Sequence, residues 1–212
     1  MLVKEFGDEE PLSISYNKQF PAPIEVTYQK WREFWGPWMD DAVTNHLSVG
    51  IFDTHKDNQM VAVSISKDLS YAPPNAEEYT NRMMADKDFR TGIFVIEDLL
   101  KNSVVDPELK KALTTEAAKT IDIWGVAIDK AYTGRKLLFK MMKINEDMAR
   151  AKGITKGFCY AVNYKTTRAL VKIDYKLAAE VDSSKVDVGD GVVPFKLIED
   201  PHRLPSIWMK DL

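Results

Sequence analysis

The stretch "AIDKAYTGRKLLFKMM", residues 127–142, decides the reading of the chain. A short apolar run (Val126, Ala127, Ile128) predicts a strand. It is followed by a turn with one glycine, Gly134, and then by a run with helical spacing. Lys130, Arg135, Lys136 and Lys140 crowd the place where that helix begins. A helix N-terminus already carries a partial positive charge, so basic residues there are mildly destabilising unless an anion sits beside them. Free backbone N–H groups at such a start bind phosphate well. The turn therefore reads as a pyrophosphate site, with basic side chains to steer or hold further phosphates. A plain strand-to-helix turn with solvated lysines fits the same residues. It is not a P-loop, because G-x-x-x-x-G-K-[ST] is absent, and not a dinucleotide fingerprint, because G-x-G-x-x-G is absent.

Outward from this turn the order is strand, helix, strand, helix. "IDIWGVAID" is a buried-type strand and "KLLFKMMKINEDMARAKG" an amphipathic helix with Gly153 as its stop. "ITKGFCYAV" is a strand and "NYKTTRALVKIDY" a short helix. Upstream, "LSVGIF" and "QMVAVSIS" predict two strands joined by the hairpin composition of "DTHKDN". Residues 75–120 hold helical material, with Asp106 and Pro107 as N-cap and first turn of one segment. "PIEVTYQKWREFWGPWMDD" predicts a helix interrupted near Gly36 and Pro37, and residues 1–20 read as short and mixed. "AAEVDSS" and "VVPFKLI" are the expected last strands, and "SIWMKDL" closes the chain. The fold class is a mixed α/β sheet with helices on both faces, and no Pro-, Gly- or Ser-rich linker divides residues 1–212, which read as one domain.

The totals exclude several classes. A net charge of -3 argues against nucleic acid as the main partner. One cysteine, Cys159, allows no intrachain disulfide and suits a reducing compartment, so a cytoplasmic protein is expected. No run is apolar over the roughly 20 residues needed to span a bilayer, so no membrane partner is expected. His46, His55 and His202 show no metal spacing. A monomer or weak dimer is expected.

The order of elements resembles the GNAT N-acetyltransferase superfamily. "VAIDKAYTGRKLL" falls on its coenzyme A turn, "L-x-V-x-P-x-Y-R-G-x-G-I-A", and "NYKTTRALVKIDY" on "N-x-x-A-x-x-L-Y-x-x-x-G-F". A narrower resemblance is to the invertebrate arylalkylamine N-acetyltransferases. "FGDEEPLS" is similar to their "F-x-x-x-E-P-L", "LSVGIFD…NQMVAVSIS" to their hairpin, "DFRTGIFVIEDLLKN" to their helical insertion, and "DGVVPFKLIEDPH…IWMKDL" to their C-terminal end.

The resemblance implies a mostly antiparallel twisted sheet, splayed at a bulged middle strand, with the family's first strand missing. It implies acetyl transfer from acetyl-CoA to a small primary amine, by direct attack and without metal. It assigns Glu10 as the base, with Glu9 as its neighbour. A solvated acidic loop of Asp8, Glu9 and Glu10 is the plainer reading. It puts coenzyme on Thr133, Gly134, Arg135, Lys136, Leu137 and Leu138, and oxyanion-stabilising N–H groups around Val126, Ala127 and Ile128. Asn163 and Thr166 open the next helix. Capping suits Asn163, while pantetheine contact or proton transfer is the functional reading of both. His202 lies where the subgroup has a histidine near the pocket. Trp31 and Trp35 share a helix face, as core or as an aromatic wall for the amine.

The chain departs from the pattern at Lys136 and Leu138, where the family has small residues that let a ligand approach the backbone. The family's general-acid tyrosine falls on Leu170, as in the arylalkylamine subgroup. A binding or regulatory module with the same fold is the alternative to an enzyme. A transferase for protein lysines is a third reading, without a legible peptide groove.

Overall fold

A computed structural model describes residues 1–39 and 42–212 in full. Among the described residues six strands form one sheet, ordered β1-β2-β3-β4-β6-β5. The strands are β1 (Val49–Asp53), β2 (Gln59–Asp68), β3 (Thr120–Ile128), β4 (Lys156–Ala161), β5 (Lys176–Glu180) and β6 (Ser206–Asp211). All neighbours run antiparallel except β3 and β4, which are parallel. The helices are α1 (Leu2–Glu9), α2 (Pro11–Gln19), α3 (Ile24–Thr44), α4 (Ala76–Ala85), α5 (Phe89–Ser103), α6 (Pro107–Leu113), α7 (Leu137–Ala151) and α8 (Tyr164–Val171). Among the described residues two buried apolar clusters lie on the sheet. One joins α2, α3 and α5 to Phe158, Ile207 and Met209. The other joins Met142 and Ala149 of α7 and Leu170 of α8 to Ile121, Ile123, Cys159 and Trp208. β4 alternates between them, Phe158 facing one and Cys159 the other, as strand geometry requires.

The expected bulge and splay are both present. Between β2 and β3 the register moves from Ile65 opposite Gly125 to Ser66 opposite Ile123, so Trp124 is the extra residue. β3 pairs with β4 only from Thr120 opposite Lys156 to Ile123 opposite Cys159. Beyond that point β3 continues along β2 and β4 along β6, and the middle of the sheet opens as a fork. Gly125 serves this geometry: a Cβ there would lie 2.7 Å from the ring of Trp35. The aromatic layer of α3 thus rests on the bulge, with the Trp35 and Trp124 rings 4.2 Å apart.

Four expectations are corrected. Residues 1–20, read as short and mixed, form two helices, because Glu10 caps α2: its carboxylate accepts from the N–H of Leu12 at 2.9 Å and of Ser13 at 2.6 Å. The helix predicted to break near Pro37 runs on to Thr44. Pro37 cannot donate to the carbonyl of Glu33. The Tyr79 hydroxyl lies 2.9 Å from that oxygen and 2.7 Å from the carbonyl oxygen of Phe34, so its one proton is shared at the place where the helix lacks a donor. "VVPFKLI" is turn, not strand. Pro194 removes a ladder donor, and Phe195, fully buried, packs on Gly92 instead. The last strand is the closing segment, β6, which inserts between β4 and β5.

Candidate active site

The fork opens onto a cavity of about 190 Å3. One wall is β3, contributing Ile123, Trp124, Val126, Ala127 and Ile128. Facing it are Cys159, Tyr160 and Val162 of β4 and its extension, then Asn163 and Thr166 at the start of α8. α1, α2, α3 and α5 close the space with Phe6, Pro11, Trp31, Phe34, Trp35 and Ile93. Four carboxylates line it, Glu5, Glu9, Glu10 and Glu97, and no Lys, Arg or His does so among the described residues. An acidic, aromatic hollow of this kind favours a cation with an apolar body.

Glu10 is the most perturbed acid in the cavity. It is 6% exposed, and burial pushes its carboxyl from the ordinary 4.5 up to about 7, against the pull of the two N–H bonds at the start of α2. The plainer reading of a solvated acidic loop is therefore excluded for Glu10. Glu9 remains half exposed and pairs with Lys130 across the mouth at 3.2 Å. Burial, then the neighbouring charges of Glu9 and Asp129, also raise the Glu5 carboxyl.

Beyond Ile123 the two edges of the fork carry backbone groups released from each other. On β3, every second residue turns its N–H and C=O away from β2. Some of the backbone N–H groups of the segment Trp124–Ile128 therefore face the fork, the place assigned to Val126, Ala127 and Ile128.

The fork leads to the turn before α7. Gly134 is left-handed at φ 77° and so is Lys136, at φ 59°. Lys136 is the N-cap of α7, yet no side chain among the described residues caps this end and the first turn holds no acidic residue. The backbone thus holds at Lys136 the conformation that glycine adopts most easily, with a lysine in its place. Arg135 lies over the Tyr132 ring, 4.6 Å from its centre. Thr133 donates through its hydroxyl to the carbonyl of Lys130 at 2.9 Å. Leu137 and Leu138 begin the helix and are half-buried.

Asn163 caps α8 by accepting from the N–H of Lys165 at 2.9 Å, and lines the cavity as well. Thr166 lines it one turn on. His202 does not. Its Nδ1 accepts from the N–H of Tyr164 at 3.3 Å, and the ring lines a smaller adjoining hollow with Glu9, Pro11 and Lys18. Trp31 and Trp35 serve both readings. They are buried and stacked at 6.0 Å, part of the core, and both border the cavity.

Cys159 is no nucleophile here: burial and then the charge of Asp122 hold its thiol protonated far above the ordinary range. No group of three His, Cys, Asp or Glu among the described residues is arranged to hold a metal ion. Leu170 is buried and carries no acid. Sequence reasoning missed Tyr160 and Glu97. Tyr160 lay in an apolar strand run and Glu97 on a helix read only as an insertion, and no local motif marks either.

No protein-family model and no curated protein matches the chain. Solved structures do. The C-terminal condensation domain of Ebony, in complex with β-alanyl-dopamine, superposes with a TM-score of 0.68 at 13% identity, over 100% of this chain and 91% of that one. The polyamine N-acetyltransferase of Drosophila melanogaster, which forms N-acetylagmatine, superposes at 0.67 and 13% identity, over 100% and 93%. A mosquito arylalkylamine N-acetyltransferase-like protein, 5b, superposes at 0.69 and 15%, over 99% and 93%. The chain has the fold of these proteins.

Proposed function

We propose that this chain is an N-acetyltransferase that moves the acetyl group of acetyl-CoA to a small primary amine, arylalkylamine-like, by direct attack in a ternary complex. The observation that carries the reading is Glu10: a buried carboxyl of pKa about 7 facing an acidic, aromatic cavity at the fork of a split sheet. Structural neighbours that include amine acetyltransferases support it.

Acetyl-CoA supplies the activated acyl group as a thioester. The residues present fit it. The uncapped, left-handed start of α7, from Thr133 to Leu138, offers backbone N–H groups and the Arg135 and Lys136 cations to a pyrophosphate. The fork offers a slot lined by unpaired backbone for an extended amide-bearing arm, with Asn163 beside it. N–H groups in the Val126–Ile128 segment hold the acyl oxygen as negative charge develops there.

An amine arrives protonated. Glu10, half ionised near neutrality, takes one proton from the ammonium and leaves a nitrogen lone pair free to attack the acyl carbon. The N–C bond forms as the C–S bond breaks. The sulfur leaves with the bonding pair, and the second proton of the attacking nitrogen, surplus once the amide forms, passes to that sulfur, a transfer to which we assign the Thr166 hydroxyl as carrier. Trp31 and Trp35 wall the apolar body of the amine. His202 is set aside from this role, since it lies in the adjoining hollow.

The alternative is a binding or regulatory module on the same fold, and the observation in its favour is the lysine at position 136. Against it, the turn retains the left-handed backbone that a glycine would give. We read residues 1–212 as one domain, monomeric or weakly dimeric, without nucleic-acid or membrane partners. No helix among the described residues is long and apolar enough to cross a membrane. A cytoplasmic setting rests on Cys159 being alone and buried.

The test is thermal unfolding with acetyl-CoA. Ligand at about a hundredfold its Kd adds roughly 2.7 kcal/mol of stability. For a chain of this length that is a rise of about 5–11 °C. No rise at millimolar acetyl-CoA would leave the module reading.

A further inference from the structure

Tyr160 of β4 and Glu97 of α5 line the cavity and have no part in the reaction above. The Tyr160 hydroxyl is shut off from solvent and has no hydrogen-bond partner among the described residues. A phenylalanine would fill the same volume without leaving a buried hydroxyl unpaired, which is costly to maintain. Tyr160 is one of the residues that border a hollow large enough for a ligand. Glu97 uses one carboxylate oxygen, Oε1, in an ion pair with Lys101 at 2.7 Å. That lysine lies outside the cavity wall.

Tyr160 is unsuited to give up its proton to the leaving sulfur. Burial, and then the charges of Glu97 and Glu10, hold the phenol protonated well above its ordinary range. What remains to it is hydrogen bonding as a neutral group. Glu10 already serves the reacting nitrogen. A ligand group meeting both Tyr160 and Glu97 must be able to donate, because a carboxylate only accepts.

We propose that Tyr160 determines acceptor specificity: its hydroxyl and the Glu97 carboxylate hydrogen-bond a second polar head on the amine, one that donates. The acceptors so selected are primary amines bearing a second hydroxyl or ammonium group, and an amine with a plain hydrocarbon tail leaves the phenol unpaired. The inference rests on the amine acetyl transfer proposed above and narrows its substrate class.

The experiment compares three acceptors with acetyl-CoA: phenethylamine, tyramine, and 1,5-diaminopentane. The proteins are the native chain, Tyr160→Phe and Glu97→Gln. We expect Tyr160→Phe to raise KM roughly 10-fold or more for the two-headed amine the native chain prefers, the loss of one well-made hydrogen bond. kcat should change little, and phenethylamine should be unaffected. Glu97→Gln should raise KM for the same amine. Whether tyramine or the diamine responds identifies the head as hydroxyl or ammonium. An equal rise for phenethylamine, or no rise for either two-headed amine, would overturn the assignment. A melting point of Tyr160→Phe at or above that of the native chain shows that the fold is intact. The same amines are also tested for thermal stabilisation without acetyl-CoA. If no amine is acetylated, yet a two-headed amine stabilises the native chain and not Tyr160→Phe, the acetyl-transfer reading fails and the Tyr160 site stands. If the two-headed amines stabilise both proteins equally, or neither, the Tyr160 site falls.

Discussion

Glu10→Gln is the sharpest perturbation of the site, because it removes the charge and keeps the shape. A carboxyl raised by burial binds its proton more tightly folded than unfolded. Below about pH 4.5 it is neutral in both states, and folding costs nothing on its account. Between about 4.5 and 7 the unfolded chain ionises while the folded chain does not, so stability falls as pH rises. Above about pH 7 the full cost is present, about 3 kcal/mol for a carboxyl raised from 4.5 to about 7. Glutamine carries no such cost. Its single amide oxygen can satisfy only one of the N–H groups of Leu12 and Ser13, a loss of about 1 kcal/mol. The variant should therefore be about 2 kcal/mol more stable than the native chain at pH 8, or roughly 4–8 °C in midpoint. At pH 5 the gain is below about 1 kcal/mol and the lost bond cancels it, so the two midpoints should nearly coincide. The assay is thermal unfolding of both proteins at the two pH values, without ligand. A difference that is the same at pH 5 and pH 8 would refute the reasoning, because it would show that Glu10 ionises like an ordinary surface acid. The proposed base would then have lost its physical ground. Raised stability with lost turnover is what a site that stores an unfavourable charge should give.

Further outcomes follow from the same geometry. kcat/KM for the amine should rise with pH through about 7 and then flatten as Glu10 becomes fully ionised, and Glu10→Gln should lower it by about 10²–10⁴-fold without weakening acetyl-CoA binding. Gly125→Ala puts a Cβ 2.7 Å from the Trp35 ring, so urea unfolding should show a loss of about 1–3 kcal/mol as α3 is pushed off the bulge. Lys136→Gly removes the cost of holding a side chain in the left-handed region at φ 59°, and should raise stability by about 1 kcal/mol in the same assay.

The middle of the chain was legible because its signals are local. A buried strand, a turn with Gly134, an amphipathic helix, a second strand and the Asn163 cap follow one another, and each is where its pattern puts it. The hairpin of β1 and β2 is legible for the same reason. The two N-terminal helices were not, since the residue that organises them is a glutamate, an uncommon N-cap, set in an acidic run that reads as loop. α3 continues across Pro37 where Tyr79, distant in sequence, sets its hydroxyl beside the carbonyls of Glu33 and Phe34. "VVPFKLI" carries strand-like residues, yet Phe195 finds a deeper pocket against Gly92 than a sheet edge would offer. Glu10 was legible only by resemblance, because nothing in its neighbours reveals burial. Tyr160 and Glu97 became visible only when β4 and α5 were brought to one hollow by the fold.

The measurement that tests the central claim most directly is release of free coenzyme A thiol from acetyl-CoA, followed with and without primary amine. The account predicts that thiol appears in step with acetylated amine, that little appears without amine, and that Glu10→Gln abolishes the amine-dependent part. It is contradicted if no primary amine accelerates thiol release, or if Glu10→Gln releases it as fast as the native chain.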